Sequence, residues 1–134
     1  MVDFLIEDDQ GQLVTCPSTS PENTYLLDNG EMSALCYGPT MDSQIIYDLW
    51  SSYLNASDLL GQRTSLYEEI QLLIHQLPIT KTGSRGQILE WTKEHKEWEP
   101  GHRHMSHLYG FHPGTQITKD KDPEIFNAVK QTLD

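Results

Sequence analysis

Thr40-Met41-Asp42-Ser43-Gln44-Ile45-Ile46-Tyr47-Asp48-Leu49-Trp50-Ser51-Ser52-Tyr53-Leu54 carries its apolar side chains at Ile45, Ile46, Leu49, Trp50, Tyr53 and Leu54. Positions three and four apart share one face of a helix, so this spacing predicts an amphipathic helix rather than a strand. Thr40 stands where a capping hydroxyl is expected and Asp42 falls in the first turn, giving a helix of about three to four turns. Trp50 lies on the apolar stripe and is read as core.

Outward from this helix, Leu66, Ile70, Leu73, Ile74 and Leu77 repeat the pattern up to Pro78, which cannot continue a helix. The two helices are expected to be antiparallel neighbours. A last helix is predicted from Asp122 as N-cap, with Pro123 at the first helical position, Glu124 complementing the helix dipole, and Ile125, Phe126, Val129 and Leu133 as its stripe. That stripe reaches the final residue without a glycine cap, so the chain is expected to be interrupted there. Residues 1–21 pass through Phe4-Leu5-Ile6, Gly11, Leu13-Val14, Pro17 and Pro21 and read as short extended pieces and loop. Between the second and third helices, residues 78–118 hold five of the six histidines together with glycines and prolines. A segment that long, polar and irregular is expected to carry function. The fold class predicted from these elements is mainly α.

With 134 residues the chain fits one small domain, and its 37% hydrophobic content suits a globular protein with little apolar surface to spare. Mean hydropathy is −0.54. Twenty Asp and Glu against nine Lys and Arg give a formal net charge of −11, which repels phosphate backbones and anionic membranes. Neither nucleic acid nor a membrane is an expected partner. No stretch approaches the roughly 20 apolar residues of a bilayer span, and no basic stretch leads into an apolar run at the N-terminus, so any signal peptide is expected to lie outside this sequence. Cys16 and Cys36 suit a disulfide and two buried thiols equally. Asn55-Ala56-Ser57 is a glycosylation acceptor triplet and inclines the reading toward an extracellular, secreted protein.

Three groups of residues carry candidate chemistry and a fourth polar run does not. Pro17-Ser18-Thr19-Ser20-Pro21-Glu22-Asn23 sets a carboxylate just after a proline-stiffened loop; acids in loops are mostly solvated surface groups, so the pattern alone does not select Glu22. His102-Arg103-His104-Met105-Ser106-His107 is the densest polar cluster. It lacks the i, i+4 histidine spacing, the neighbouring cysteines and the His-Glu-x-x-His arrangement of zinc sites, so no metal is predicted, and a hydroxyl-rich neutral ligand suits its donors better. Glu90-Trp91, with Trp98 nearby, offers an aromatic face beside a carboxylate, as a sugar site would; packing in the core explains Trp91 equally well. Lys93-Glu94-His95-Lys96-Glu97 is mixed charge and read as solvated surface.

Three blocks hold together in order and spacing: Leu13-Val14-Thr15-Cys16-Pro17-Ser18-Thr19-Ser20-Pro21-Glu22-Asn23, then Gly38-Pro39-Thr40-Met41-Asp42-Ser43-Gln44-Ile45-Ile46-Tyr47-Asp48-Leu49, then Gly86-Gln87-Ile88-Leu89-Glu90-Trp91 running into His102-Arg103-His104-Met105-Ser106-His107-Leu108-Tyr109-Gly110-Phe111-His112-Pro113-Gly114. Together they resemble the catalytic domain of glycoside hydrolase family 95, the inverting 1,2-α-L-fucosidases, over nearly the whole of residues 1–134. The resemblance implies part of an (α/α)6 barrel with long irregular active-site loops, and hydrolysis of terminal α-L-fucosidic linkages in oligosaccharides or glycans. It matches Glu22 to the general acid, and Arg103 and His104 to residues that contact the fucose. Glu90, Trp91 and His107 are then expected to line or back the pocket. The base, an aspartate acting with two asparagines, is expected outside this stretch. Inversion needs the acid and the water-activating group on opposite faces of the sugar, roughly 6.5–9.5 Å apart. Two other readings stand beside this one. An α-L-galactosidase of the same family would differ by one hydroxyl, which a pocket built around a methyl rejects weakly; a sugar-binding remnant would recognise without turnover. No cofactor is implied by any of the three.

Overall fold

In the computed structural model, which describes residues 2–134, turn chemistry organises the first third of the chain. After a 3₁₀ turn at Val2–Phe4, β1 (Leu5–Glu7) and β2 (Leu13–Thr15) form an antiparallel hairpin in the register Leu5↔Thr15, Ile6↔Val14, Glu7↔Leu13. Its turn is held by Asp8, whose Oδ1 accepts from the backbone N–H of Gln10 and Gln12, while Gly11 supplies the left-handed residue at φ 75°. Then come β3 (Ser18–Thr19), β4 (Tyr25–Leu26), β5 (Met32–Ser33) and β6 (Leu35–Cys36). β3 pairs with β6, and β4 pairs with β5 on one side. On its other side β4 takes β7 (Lys96–Glu97), from 70 residues further along the chain, in the register Leu26↔Lys96 and Tyr25↔Glu97. This last pairing draws the histidine-rich segment toward the Ser20–Asn23 turn.

α1 spans Thr40–Leu60, 21 residues and nearly six turns, longer than the apolar spacing predicts. Its final turn exposes Leu59 and Leu60 off the buried stripe, so periodicity stops reporting the helix at Leu54. Gly61 ends it in the left-handed conformation, donating to the carbonyls of Asp58 and Ser57. Thr40 is not the N-cap: Pro39 is, and the Thr40 hydroxyl instead donates to the Leu89 carbonyl at 2.5 Å. α2 (Ser65–Leu73) is capped by the Thr64 hydroxyl, which accepts from Tyr67 N–H, and continues as a 3₁₀ turn at Ile74–Gln76 before Pro78. Ile46 and Trp50 from the first half of α1 share a buried cluster with Ile70 and Leu77, which makes α1 and α2 the antiparallel pair the sequence suggests. α3 (Pro123–Leu133) has Asp122 as N-cap, accepting from Ile125 N–H at 3.0 Å, and packs Ala128 and Val129 against Ile88, Leu108 and Ile117.

The expectation of a mainly α chain, part of an (α/α)6 barrel, is corrected by these strands. Among the described residues three α-helices and seven short strands make the fold mixed α/β. Up to residue 38 Gly11, Pro17, Pro21, Gly30 and Gly38 repeatedly interrupt the chain with turns, and the backbone pairs in short ladders instead of forming a long helix. The mixed-charge run at 93–97 is largely exposed, but its last two residues are β7. Cys16 and Cys36 are both free, and partial burial pushes the Cys36 thiol up to about 11.

Candidate active site

Ser20-Pro21-Glu22-Asn23 is a tight turn closed by Asn23 N–H donating to the Ser20 carbonyl at 3.1 Å. Pro21 presets the first corner. Glu22 occupies the second at φ 56°, a left-handed conformation that normally falls to glycine or asparagine. This backbone turns the Glu22 side chain outward, 62% exposed. Across the turn stand two neighbours in the chain, Arg103 and His104. Arg103 Nη2 donates to Glu22 Oε2, and His104 Nε2 lies 3.1 Å from the same oxygen. Both contacts fall on Oε2, which leaves Oε1 the oxygen without a protein donor among the described residues.

The inner side of the turn is different in kind. Ser20 and Asn23 are buried, and both donate to the buried Glu90 carboxylate: Ser20 Oγ to Oε1 at 2.5 Å, Asn23 Nδ2 to Oε2 at 2.7 Å. Burial pushes the Glu90 carboxyl above its usual range, and these two hydrogen bonds oppose that rise. His107 Nδ1 stands 3.6 Å from Glu90 Oε2, beyond hydrogen-bonding distance, and burial pushes its imidazole down to about 4. The imidazole is therefore neutral at physiological pH.

A cleft of about 600 Å³ opens beside this network, lined by Asn23, Glu90, Trp91, His102, His104 and His107 among others. Trp91 is buried with its ring 5.2 Å from that of Tyr25, and its Nε1 shares with His107 Nδ1 the property of being buried without a hydrogen-bond partner. Among the residues singled out from sequence, Glu22, Arg103 and His104 thus form one contact group, while Glu90, Trp91 and His107 form a second, deeper one. His104 belongs to the rim of both. Glu22 and Arg103 are outside the cleft lining. Among the described residues no three His, Cys, Asp or Glu side chains converge as a metal-ligand set, and no helix is long and apolar enough to cross a membrane.

Sequence reasoning assigned no part in the site to Ser20, Asn23, Asp42 or Gln44, reading Asp42 only as an acid in the first turn of the helix. Asp42 Oδ2 accepts from the hydroxyls of Thr15 and Ser18, both at 2.6 Å, tying the start of α1 to the loop before the turn. Gln44, buried, accepts from Gly110 N–H at 2.8 Å and so ties α1 to the chain beyond His107. Their only signal was their place inside the quoted blocks, because polarity by itself marks a surface residue.

A family model described as the glycosyl hydrolase family 95 catalytic domain matches residues 1–134. The chain is 37% identical to "Alpha-L-fucosidase 2" of Arabidopsis thaliana over 134 residues, 99% of this chain and 16% of that protein. It is 33% identical to "Probable alpha-fucosidase A" of Aspergillus niger over 127 residues, 92% of this chain and 15% of the relative. A protein of the same name from Aspergillus oryzae is 29% identical over 117 residues. The chain spans about a sixth of the length of the first of these relatives. With the family match running unbroken through the Glu22 turn, the Glu90 network and the Arg103–His104 pair, the chain belongs to the glycosyl hydrolase family 95 catalytic domain.

Proposed function

We propose that this chain supplies the acid side of an α-L-fucosidase active site, acting on terminal α-1,2-linked fucose with inversion in the full-length protein. The observation that carries the reading is the exposed Glu22 carboxyl, held by a left-handed turn with Arg103 and His104 on one oxygen and the other oxygen free. A glycosidic bond breaks readily only if its departing oxygen is protonated as charge develops on the sugar ring, and a positioned carboxylic acid supplies that proton. Glu22 Oε1 is the oxygen open to that task. Arg103 and His104 offer fixed donors to sugar hydroxyls from the same edge. Water attack from the opposite face is assigned to groups outside residues 1–134.

Glu22→Gln in the full-length protein keeps the shape and removes the transferable proton. The expected loss in kcat is about 10²–10⁴-fold on a natural fucoside and much smaller on fucosyl fluoride, whose leaving group needs little protonation. An equal loss on both substrates would falsify the acid assignment. The configuration of the first-formed sugar, followed by proton NMR, tests inversion separately.

A further inference from the structure

We infer that Glu90 is a positioning residue whose carboxylate clamps the turn carrying Glu22, by holding the first and last residues of that turn on its two oxygens. The inference rests on the reading of Glu22 as the acid. A four-residue turn has two ends and two corners. Here both ends, Ser20 and Asn23, are buried and hydrogen-bonded through their side chains to one carboxylate, at 2.5 and 2.7 Å. Of the corners, Pro21 has a nearly fixed φ. That leaves Glu22, in a left-handed conformation that is strained for a non-glycine residue and persists only where its surroundings hold it.

The clamp has a firm base. Thr40 N–H donates to the Glu90 carbonyl at 3.0 Å and the Thr40 hydroxyl to the Leu89 carbonyl, so the first residue of α1 grips the two peptide groups that flank the Glu90 Cα. Leu89 N–H donates to the Lys81 carbonyl at 2.9 Å. Glu90 is poorly placed to bind sugar itself: its side chain is 5% exposed and both oxygens are engaged. It acts through Glu22, whose carboxyl it does not touch.

Three variants of the full-length protein test this. Glu90→Ala removes both anchors. Misplacing a reacting group by about 1 Å costs on the order of 10²-fold, so kcat on a natural fucoside is expected to fall by about that factor, with KM little changed and a distinctly smaller loss on fucosyl fluoride. Glu90→Gln keeps one acceptor and gains a donor, to which the Ser20 hydroxyl can turn as acceptor, so it is expected to restore most of the activity that Glu90→Ala loses. In a Glu22→Gln background, Glu90→Ala is expected to add almost nothing to the loss, because there is no longer a proton to aim. A raised KM with unchanged kcat, an equal loss on both leaving groups, a full additional loss in the double variant, or a Glu90→Gln as poor as Glu90→Ala each overturns the clamp. Should Glu90→Ala not fold, Ser20→Ala removes one anchor and is expected to show the same leaving-group dependence at reduced size; its absence overturns the clamp equally. Failure of the acid reading is visible in Glu22→Gln alone, whereas failure of the clamp leaves Glu22→Gln behaving as expected.

Discussion

His107 shows how a single side chain couples this site to pH. Its imidazole is buried 3.6 Å from Glu90 Oε2, and its folded-state pKa of about 4 lies well below the 6.5 of an unfolded histidine. Between those values the unfolded chain binds a proton that the folded chain refuses, so His107 costs nothing above pH 6.5 and lowers stability progressively as pH falls from 6.5 toward 4. Glu90 contributes with the opposite sign: its raised pKa makes ionisation costly, and acid relieves that cost. At pH 5 the His107 contribution is roughly 2 kcal/mol. His107→Asn is therefore expected to lose less stability than the wild type between pH 7.5 and pH 5, by about that amount, in denaturant unfolding followed at both pH values. Parallel pH profiles for the two proteins would show that the imidazole titrates normally. None of this could be read from the residues alone. His107 stood in the sequence as one of the three histidines of the 102–107 cluster, and only the packing around it distinguishes it from the half-exposed His104.

Among the elements, α1 was readable because Ile46 and Trp50 are buried at the spacing that announces a helix, and α3 because Asp122 and Pro123 mark its start. Of the strands, the extended pieces within residues 1–21 were read as such, but β4 to β7 were not. A two-residue strand such as β4 or β7 is too short for alternation to show, and its existence depends on a partner 70 residues away. The same holds for the ties that α1 makes through polar side chains. Gln44 is buried and bonded on every side: its Oε1 accepts from Gly110 N–H, its Nε2 donates to Thr80 Oγ1 at 3.1 Å, and its carbonyl accepts from Gln116 Nε2 at 2.6 Å. Gln44→Leu keeps the volume approximately and strands the Gly110 N–H in a dry environment, which costs about 1–3 kcal/mol. The expected result is a lower melting temperature, accompanied by faster amide exchange at Gly110. Unchanged exchange there would mean that another acceptor, or water, takes over the bond.

At the scale of the whole molecule, the candidate site was legible in outline and its architecture was not. The blocks around Glu22, Glu90 and Arg103–His104 could be picked out because together, in order, they resemble a known family, but that Ser20 and Asn23 close over Glu90 follows only from the three-dimensional path. The mainly α reading failed because helices advertise themselves through periodicity, whereas these strands are two or three residues long, form three small separate sheets, and in the case of β4 and β7 pair across 70 residues. The β4–β7 ladder has a consequence for the time course of folding. The α1–α2 hairpin is closed by contacts such as Tyr67 to Asp58, nine residues apart, whereas Ser20 meets Glu90 across 70 and Arg103 meets Glu22 across 81. Going from nine residues to 70 is about three doublings of loop length, or roughly 2 kcal/mol of additional closure entropy to be met before any contact rewards it. Local helices therefore come first and the chemistry comes last. In pulsed hydrogen-exchange labelling of the refolding protein, amides of α1 and α2 are expected to gain protection before the β4–β7 set, reported by Trp98 N–H, which donates to the Thr24 carbonyl across that ladder. Simultaneous protection of both sets would contradict this order. If it holds, a newly made chain passes through a stage in which its helices are formed while the Glu22 turn has not yet met Glu90 and Arg103, and the candidate site is completed only at the final step of its assembly.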